Sequence, residues 1–325
     1  MTFSIVIPAY NGAKYIEKAI ISALNQTRKP DEIIVHDDNS TDSTRQVCEK
    51  YTNEIVYYFN PDGPSGFVTG WNRTISFAKS DFIAILHQDD LLYPSFLKEA
   101  EYALTLNPQV RHLFTLCDYI DENNLIINSG EKSVLKGRST DKIVRYSGKE
   151  YVRAYQKKYK KMSHIHRCPG VITHRSIFYE GCNYNEAAGH IADDDFFYRV
   201  GQFTDVLGIR TSLAAFRIHK DSETGSLNDN YLVKRLARDY VFQVRQWQNS
   251  DFLTVNEKSY FEYWAFKYIF RTYYYAFKTG DKELRRYGND LKEELKSLNF
   301  TKPYFFKRIK MDLLQLLSRF SIIIF

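Results

Sequence analysis

The sequence predicts an α/β protein with a doubly wound sheet and a helical extension at its C-terminal end. Three observations support this fold class: short apolar runs in the first hundred residues, helical stripes between them, and a purely helical pattern from Asp229 onward. The short runs are rich in β-branched and aromatic residues, which is typical of strands buried on both faces of a parallel sheet. Regular alternation of such strands with helices indicates a doubly wound arrangement.

Four strands and four helices are expected in order between residues 3 and 106. The apolar runs predict strands at residues 3–7, 32–36, 55–59 and 82–86. Apolar positions at helical spacing predict helices over residues 16–24, 68–78 and 96–104. A further helix is expected at residues 42–51, after Ser40 and Thr41, either of which can cap it.

The alternation stops after residue 106. Residues 112–119 predict one more strand, and the basic stretch 131–167, with 12 Lys and Arg against 3 acids, is expected to be loop or loose helix. From Asp229 onward we expect helices, and Gly280 is a suitable end for an aromatic helix that runs from Ser259.

Composition excludes several classes of protein. The 325 residues carry 45 Lys and Arg against 39 Asp and Glu, and 44% of them are hydrophobic, which excludes a disordered or collagen-like chain. The basic excess lies at the C-terminal end, where the residues from Tyr231 onward hold 18 Lys and Arg against 10 acids. Four cysteines without a CxxC pair predict a reduced, cytoplasmic protein. No apolar run reaches the roughly 18 residues that span a bilayer.

Polar residues follow three of the predicted strands. Residues 8–11, 37–40 and 87–90 are expected to meet in one crevice, because ligands bind beyond the carboxyl ends of strands in an open parallel sheet. The chain has neither GxGxxG nor GxxxxGK[ST], so a metal is expected to hold any phosphate. Asp89 and Asp90 supply the hard oxygen ligands that Mg²⁺ and Mn²⁺ prefer, although two adjacent aspartates also suit the start of a turn.

Three runs in this half of the chain, SIVIPAYNGAKYIEKAIISALNQT, EIIVHDDNSTDST and WNRTISFAKSDFIAILHQDD, resemble family 2 inverting glycosyltransferases of the GT-A fold. The resemblance covers residues 3–106 closely and returns near Asp193 and His219. It implies a GT-A doubly wound mixed sheet, a UDP-sugar donor, Mn²⁺ or Mg²⁺, and direct displacement at the anomeric carbon. It further implies a catalytic domain at residues 1–228, with a nucleotide-binding half (1–110) and an acceptor and base half (111–228), and a helical region at 229–325.

The same resemblance assigns roles to individual residues. Those expected to bind the nucleotide-sugar are Pro8, Ala9, Tyr10 and Asn11 at the nucleobase, Asp38 at the uracil ring, Asn72 and Arg73 beside the nucleotide, and Asp89 at the ribose and donor sugar. Asp90 is the expected metal ligand. Core packing remains the alternative for Tyr10 and Trp71. His87 stands where the family often has an acid, so the donor diphosphate is expected to complete the metal shell.

The catalytic base and the diphosphate contacts are expected in the second half of the domain. Alignment of Phe196 and Arg199 with the family motif places the base on Asp193, and Asp194 is the rival candidate. The alternative is that the three acids in the first helical turn serve only to stabilise the helix dipole. The R-x-H-x-x-S loop assigns Arg217, His219 and Lys220 to the diphosphate, and His219 is a further candidate metal ligand.

The C-terminal tail, with its basic residues and an apolar stripe from Ile309 to Ile324, is expected to bind an anionic membrane or to dock on the body. The predicted function is transfer of a hexose or N-acetylhexosamine to a glycan or polyprenyl-diphosphate-linked acceptor during cell-surface polysaccharide synthesis, at the inner face of the plasma membrane. The basic stretch can meet an acceptor diphosphate or form a solvated face. No nucleic acid partner is expected. The alternatives are a sugar nucleotidyltransferase and a non-catalytic basic protein that binds nucleotide or lipid.

Overall fold

The computed structural model describes residues 1–130, 141–160, 168–222 and 229–298, and its first part alternates strand and helix as predicted. The elements are β1 (Phe3–Ala9), α1 (Ile16–Leu24), β2 (Glu32–Asp37), α2 (Thr44–Glu49), β3 (Val56–Phe59), α3 (Phe67–Ser76) and β4 (Phe82–Ile85). β1 pairs in parallel with β2 and β4, and β2 pairs in parallel with β3. The predicted bounds of these elements differ from the observed ones by a residue or two.

The cap of α2 differs from the prediction. Asp42 Oδ1 accepts the backbone N–H of Thr44 at 2.9 Å and so stabilises the first turn of the helix. Ser40 and Thr41, which the sequence offered as caps, instead bind the loop that follows β1. The prediction was wrong at this point because an Asx turn at Asp42 competes with the hydroxyl caps.

The second part completes a mixed sheet. Its elements are β5 (Leu91–Leu92), α4 (Phe96–Leu106), β6 (His112–Ile120), β7 (Ile126–Asn128), β8 (Ile143–Tyr146), α5 (Gly148–Lys160), β9 (Val171–His174), α6 (Arg175–Tyr179), α7 (Ala192–Val200) and β10 (Val206–Arg217). The strand order in the described chain is β3-β2-β1-β4-β9-β6-β10-β5, with β7 beside β6 and β8 beside β10. β9 is antiparallel to both of its neighbours, which makes the sheet mixed.

The basic stretch contains more regular structure than the sequence predicted. Its described middle forms β8, which pairs antiparallel with β10, and helix α5. Residues 131–140 and 161–167 lie outside the described residues. The predicted strand at 112–119 is confirmed as β6.

An apolar core fixes the sheet beneath the polar strand ends. Ile5 and Ile7 of β1 pack with Ile16 and Ile20 of α1, and all four side chains are fully buried. Each such side chain contributes roughly 1.5–3 kcal/mol on burial. Rigid strands of this kind hold the loops at their carboxyl ends in fixed positions.

Three helices follow position 228: α8 (Asp229–Trp247), α9 (Val255–Thr279) and α10 (Lys282–Ser297). Gly280 ends α9 with φ 71, as predicted. The helix begins at Val255 rather than Ser259, because Thr254 and Glu257 form a capping box. Residues 299–325, which include the predicted membrane tail, lie outside the described residues.

The chain divides into two compact units. The first contains Met1–Glu186 and Ala192–Gly225, and the second contains Ala187–Ile191 with the described residues from position 229 onward. All four cysteines are buried free thiols. Within the described residues, no helix has both the length and the apolar character needed to cross a membrane.

Candidate active site

The loops that follow β1 and β2 are joined by hydrogen bonds. The Asn11 backbone N–H donates to Ser40 Oγ at 2.8 Å, and Asn11 Oδ1 accepts the Thr41 N–H at 2.8 Å. The Asp38 N–H donates to the Ala9 carbonyl at 2.8 Å. Asn11 has φ 49, a conformation that Asn tolerates better than most residues. Two groups of predicted nucleobase residues therefore lie side by side.

Tyr10 is held by its backbone and leaves its ring in solvent. Gln88 Oε1 accepts the Tyr10 N–H at 2.8 Å, and Gln88 Nε2 donates to the Tyr10 carbonyl at 3.0 Å. The ring is 44% exposed, which argues against core packing. A Cβ at Gly12 would lie 2.2 Å from Gln88 Oε1, so a larger residue here would displace the Gln88 amide from Tyr10. Tyr10 thus presents an aromatic face at the strand ends.

Asp38 is a buried carboxylate that organises the loop after β3. Its Oδ1 accepts from Asn60 Nδ2 at 2.6 Å, and its Oδ2 accepts the Ser65 N–H at 2.7 Å. Burial opposes ionisation, but these hydrogen bonds outweigh it and lower the pKa of Asp38. The ionised side chain therefore fixes the loop after β3 beside the end of β2.

Helix α3 contributes Trp71, Asn72 and Arg73. Trp71 stacks on His87, with ring centroids 4.8 Å apart. The Asn72 amide both donates to the Tyr184 carbonyl at 2.7 Å and accepts its N–H at 3.0 Å. This amide therefore holds the segment around Tyr184 against α3. Arg73 is exposed.

Asp89 and His219 lie in contact at the end of β4. His219 Nε2 is 3.0 Å from Asp89 Oδ2, and the His219 ring lies against Tyr15 with centroids 4.8 Å apart. Burial opposes ionisation of Asp89, but the hydrogen bond from His219 and the nearby His87 outweigh it and lower the pKa of this carboxyl. His219 is 9% exposed, and within the described chain its Nδ1 is buried without a hydrogen-bond partner.

Asp90 and His219 suit a cation that also binds phosphate. Asp90 Oδ1 accepts the Arg217 N–H at 2.9 Å, and Asp90 Oδ2 lies 3.7 Å from His87 Nδ1. Among the residues described here, no three His, Cys, Asp or Glu side chains are grouped so as to hold a metal by themselves. Mg²⁺ commonly binds one or two carboxylates together with phosphate oxygens and water. A cation held by these carboxylates would therefore need a bound ligand to complete its shell.

Arg217 is engaged within the protein. Its side chain is buried at 1% exposure, and its Nε donates to the Asp89 carbonyl at 2.8 Å. Its two terminal nitrogens donate to the turn between β6 and β7. We therefore revise the sequence-based expectation that Arg217 contacts a diphosphate directly. Lys220, the third residue of that set, is exposed.

The three aspartates at the start of α7 have different surroundings. Asp195 forms a buried ion pair with Arg199, whose Nε lies 2.7 Å from Asp195 Oδ2. Asp194 accepts a hydrogen bond from the Tyr155 hydroxyl. Asp193 Oδ1 accepts the N–H of Asp194 at 2.8 Å, and its side chain is partly exposed. Asp193 and Asp194 are both partly exposed, whereas Asp195 is buried in its ion pair.

Asp193 shares neighbours with both Asp89 and Asp90. Burial lowers the pKa of His87, and the carboxylates of Asp89 and Asp193 oppose that shift. Burial raises the pKa of the Cys168 thiol well above its ordinary value, and Asp193 and Asp90 act in the same direction. Ring contacts join the two places: Phe196 of α7 stacks on Tyr184, Tyr184 contacts Trp71, and Trp71 stacks on His87, with centroids 4.5, 5.3 and 4.8 Å apart.

Several partners of the site residues could not be recognised in the sequence. Asn60 and Ser65 bind Asp38 from the loop after β3, and Tyr155 reaches Asp194 from the basic stretch. Hydrophobic periodicity gives no signal for such contacts, because they depend on how loops fold over the strand ends. His87 is the exception. The sequence already singled it out, because the family often has an acidic residue at this position.

The glycosyl transferase family 2 model matches residues 4–166. An uncharacterized glycosyltransferase of Rickettsia typhi is 34% identical over 127 residues, which are 39% of this chain and 35% of that protein. The chondroitin synthase of Pasteurella multocida is 36% identical over 125 residues, 38% of this chain and 12% of that protein. The chain thus spans about a third or less of the length of these two relatives.

Solved structures of S. aureus TarS share the fold. TarS 1–349 superposes with a TM-score of 0.59 at 17% identity, covering 83% of this chain and 72% of that chain. Its complex with UDP-GlcNAc gives a TM-score of 0.57 at 17% identity, covering 88% of this chain and 78% of that chain. The predicted GT-A mixed sheet with C-terminal helices is confirmed by this likeness and by the observed topology.

Proposed function

Because this chain belongs to glycosyl transferase family 2 and is a glycosyltransferase, we propose that it is an inverting enzyme that uses a UDP-sugar donor. The transferred group is a hexose or an N-acetylhexosamine, and the acceptor is a glycan or a polyprenyl-diphosphate-linked sugar of cell-surface polysaccharide synthesis. The observation that carries the proposal is the chain of ring contacts from Phe196 of α7 through Tyr184 and Trp71 to His87, which brings the first turn of α7 to the end of β4. The donor class is supported by TarS, which has been solved with UDP and with UDP-GlcNAc.

The proposed catalytic domain is residues 1–228, followed by a helical region at 229–325. In the nucleotide-binding half, Tyr10 stacks on the base and Asp38 accepts the uracil N–H. Pro8, Ala9 and Asn11 shape the base site, Asn72 and Arg73 lie beside the nucleotide, and Asp89 approaches the ribose and donor sugar. The exposed ring of Tyr10 and the ionised carboxyl of Asp38 support these roles.

Asp193 is the proposed base. As the acceptor oxygen attacks the anomeric carbon, the carboxylate of Asp193 takes the hydroxyl proton, and the bond from that carbon to the phosphate oxygen breaks with its electron pair on UDP. A single displacement of this kind inverts the anomeric configuration. Asp194 is the weaker candidate, because its carboxylate already accepts the hydrogen bond of Tyr155.

The diphosphate end requires positive charge opposite the base. A bound Mn²⁺ or Mg²⁺ would neutralise the charge that develops on the departing diphosphate. Asp90 is the residue proposed to hold it, with His219 either as a second metal ligand or as a hydrogen-bond partner of the phosphates, which Lys220 is also proposed to contact. The buried His219 Nδ1 supports this assignment.

The proposed location is the cytoplasmic face of the plasma membrane, to which the protein binds peripherally. The support comes from the sequence of the tail, in which Lys302, Lys307, Arg308 and Lys310 precede and accompany an apolar stripe. This tail lies beyond the described residues, so the proposal rests on its composition alone.

A panel of UDP-sugars tests the proposed function. Purified protein is incubated with each donor and Mn²⁺, with and without polyprenyl-diphosphate glycans, and UDP release is measured. The proposal predicts UDP release with at least one donor, increased by acceptor and lost in Asp193→Asn, while the exposed Asp251→Asn serves as the matched control. Release of pyrophosphate from a nucleoside triphosphate and sugar phosphate would instead indicate a nucleotidyltransferase. Salt-dependent lipid binding with no turnover of any donor would indicate the non-catalytic alternative.

A further inference from the structure

Arg217 joins the two aspartates at the end of β4. Its backbone N–H donates to Asp90 Oδ1 at 2.9 Å, and its side-chain Nε donates to the Asp89 carbonyl at 2.8 Å. The pairing of Ala215 with Leu91 in the β10–β5 ladder brings these residues together. One arginine thus fixes the carboxylate of one aspartate and the backbone of the other.

The rest of the guanidinium is anchored to the turn between β6 and β7. Nη1 donates to the Asp121 carbonyl at 2.7 Å, and Nη2 donates to Asn124 Oδ1 at 2.7 Å. The turn itself is firmly built, since Asp121 Oδ1 accepts the N–H groups of Asn123 and Leu125 at 2.8 and 2.9 Å. The arginine therefore ties the aspartates to a rigid support.

The guanidinium is also packed and shielded. It lies over the Tyr15 ring, 4.7 Å from the centroid, and Arg217 is 1% exposed. A buried cation needs such partners to offset its lost hydration. Three of its five N–H donors are taken by protein oxygens, so the guanidinium is directed toward the protein.

We propose that Arg217 is a positioning residue whose side chain fixes the backbone at Asp89, so that the adjacent Asp90 is held where it binds the cation that neutralises the donor diphosphate. The inference rests on the proposed function above. The planar fork of arginine is essential, because it joins the Asp89 carbonyl to two acceptors in the β6–β7 turn at fixed angles. Lysine keeps the charge but has a single nitrogen and cannot make these bonds together.

Two variants test the inference. Arg217→Lys keeps the charge and removes the fork. Asn124→Gly removes one acceptor while preserving the left-handed backbone at φ 69, which glycine adopts freely. Arg145→Lys is the matched control, because Arg145 pairs with Asp205 at 2.7 Å on β8 and is 43% exposed. Thermal unfolding of each variant identifies any loss of folding.

The measurement is Mn²⁺ binding in the presence of UDP, followed by electron paramagnetic resonance, together with UDP binding without metal by calorimetry. We expect Arg217→Lys to weaken Mn²⁺ binding with UDP about tenfold or more, which is the loss of one or two charge-assisted hydrogen bonds. Asn124→Gly should weaken it less, and Arg145→Lys should match the wild type. In Arg217→Lys and Asn124→Gly, metal-free UDP binding should weaken less than Mn²⁺ binding does.

Two results would overturn the inference. Mn²⁺ binding by Arg217→Lys equal to that of the wild type would show that the fork is not needed. An equal loss of metal-free UDP binding would show direct contact with the phosphates. If Arg217→Lys fails to fold, Asn124→Gly becomes the deciding variant. Mn²⁺ binding by Asn124→Gly equal to that of the wild type would then overturn the inference. Wild-type protein that binds no UDP would overturn the proposed function as well, which separates the two failures.

Discussion

Asp195 and Arg199 lie one turn apart on α7 and form an ion pair in which Nε and Oδ2 are 2.7 Å apart. Their side chains are 0% and 11% exposed, and Arg199 Nη2 also donates to the Asn183 carbonyl. The pair therefore fastens α7 to the segment before it. The third of three consecutive aspartates is thus structural, which leaves Asp193 and Asp194 as the acids that can meet an acceptor.

We predict that Asp195→Asn destabilises the protein by about 3–5 kcal/mol, because Arg199 would keep its charge in a nearly dry site without a partner. Chemical denaturation measures this change. Glu293→Gln is the control, since Glu293 and Lys296 form an ion pair that is 67% and 55% exposed and its loss should cost less than about 1 kcal/mol. Equal effects of the two changes would contradict the structural role of Asp195.

We predict that Asp38→Asn weakens UDP binding about tenfold, because the amide replaces an anionic acceptor at the proposed uracil site and disturbs the loop held by Ser65. Ser65→Ala should give a smaller loss in the same direction. Calorimetry with UDP measures both, and Asp62→Asn, an exposed change in the same loop, is the control. Unchanged affinity in Asp38→Asn would remove Asp38 from the nucleotide site.

Asp239 on α8 should make stability depend on pH. Its carboxylate is fully buried, its Oδ2 accepts the His190 N–H at 3.1 Å, and its Oδ1 lies 3.5 Å from Arg238 Nε. Burial raises the pKa of Asp239 to about 7, although Arg238, the His190 N–H and Arg235 oppose the shift. Burial raises the pKa of Tyr287, and the Asp239 carboxylate acts in the same direction.

The sign of this effect follows from the raised pKa. Between pH 4 and pH 7 the folded state holds more protons at Asp239 than the unfolded state does. The contribution of Asp239 to the free energy of unfolding is therefore full below its unfolded pKa and is lost as the pH rises through its folded pKa. We predict that the free energy of unfolding of the wild type falls relative to that of Asp239→Asn over this range, by about 4 kcal/mol at most. The difference between the proteins isolates Asp239, because His190, whose pKa burial lowers to about 4, acts oppositely in both. A constant difference across the range would contradict the assignment.

The C-terminal tail gives a prediction about membranes. Removal of the residues after Tyr304 should release the protein from vesicles that contain anionic lipid, because the apolar stripe and most of the basic residues are lost together. Sedimentation with vesicles measures binding. Replacement of Lys302, Lys307, Arg308 and Lys310 by Gln should weaken binding and remove its salt dependence. Unchanged sedimentation of the shortened protein would contradict a membrane role for the tail.

Except for the short β5, the elements up to α4 could be predicted because their apolar periodicity reflects burial in one core. Ile16 and Ile20, for example, repeat at helical spacing and are both fully buried. β8 was missed because Ile143–Tyr146 is short and lies in a basic stretch, where its pairing with β10 is a tertiary effect. Such strands depend on a neighbour that sequence periodicity cannot identify.

The candidate site was predictable at the level of residue types rather than contacts. Asp90 and His219 were expected near one another, and both lie at the end of β4. The motif could not show that Arg217 points inward, because an arginine in a loop motif has the same sequence signature whether it binds phosphate or protein carbonyls. Burial at 1% exposure decides between these possibilities.

The most direct test of the account is turnover of the accepted UDP-sugar by Asp193→Asn beside Asp194→Asn, with UDP affinity measured on the same samples. A general base contributes roughly 10²–10⁴-fold, so transfer by Asp193→Asn should fall by at least about a hundredfold while UDP affinity stays near that of the wild type. Asp194→Asn should keep most of its activity. Full transfer by Asp193→Asn, or a loss confined to Asp194→Asn, would contradict the proposal that Asp193 activates the acceptor.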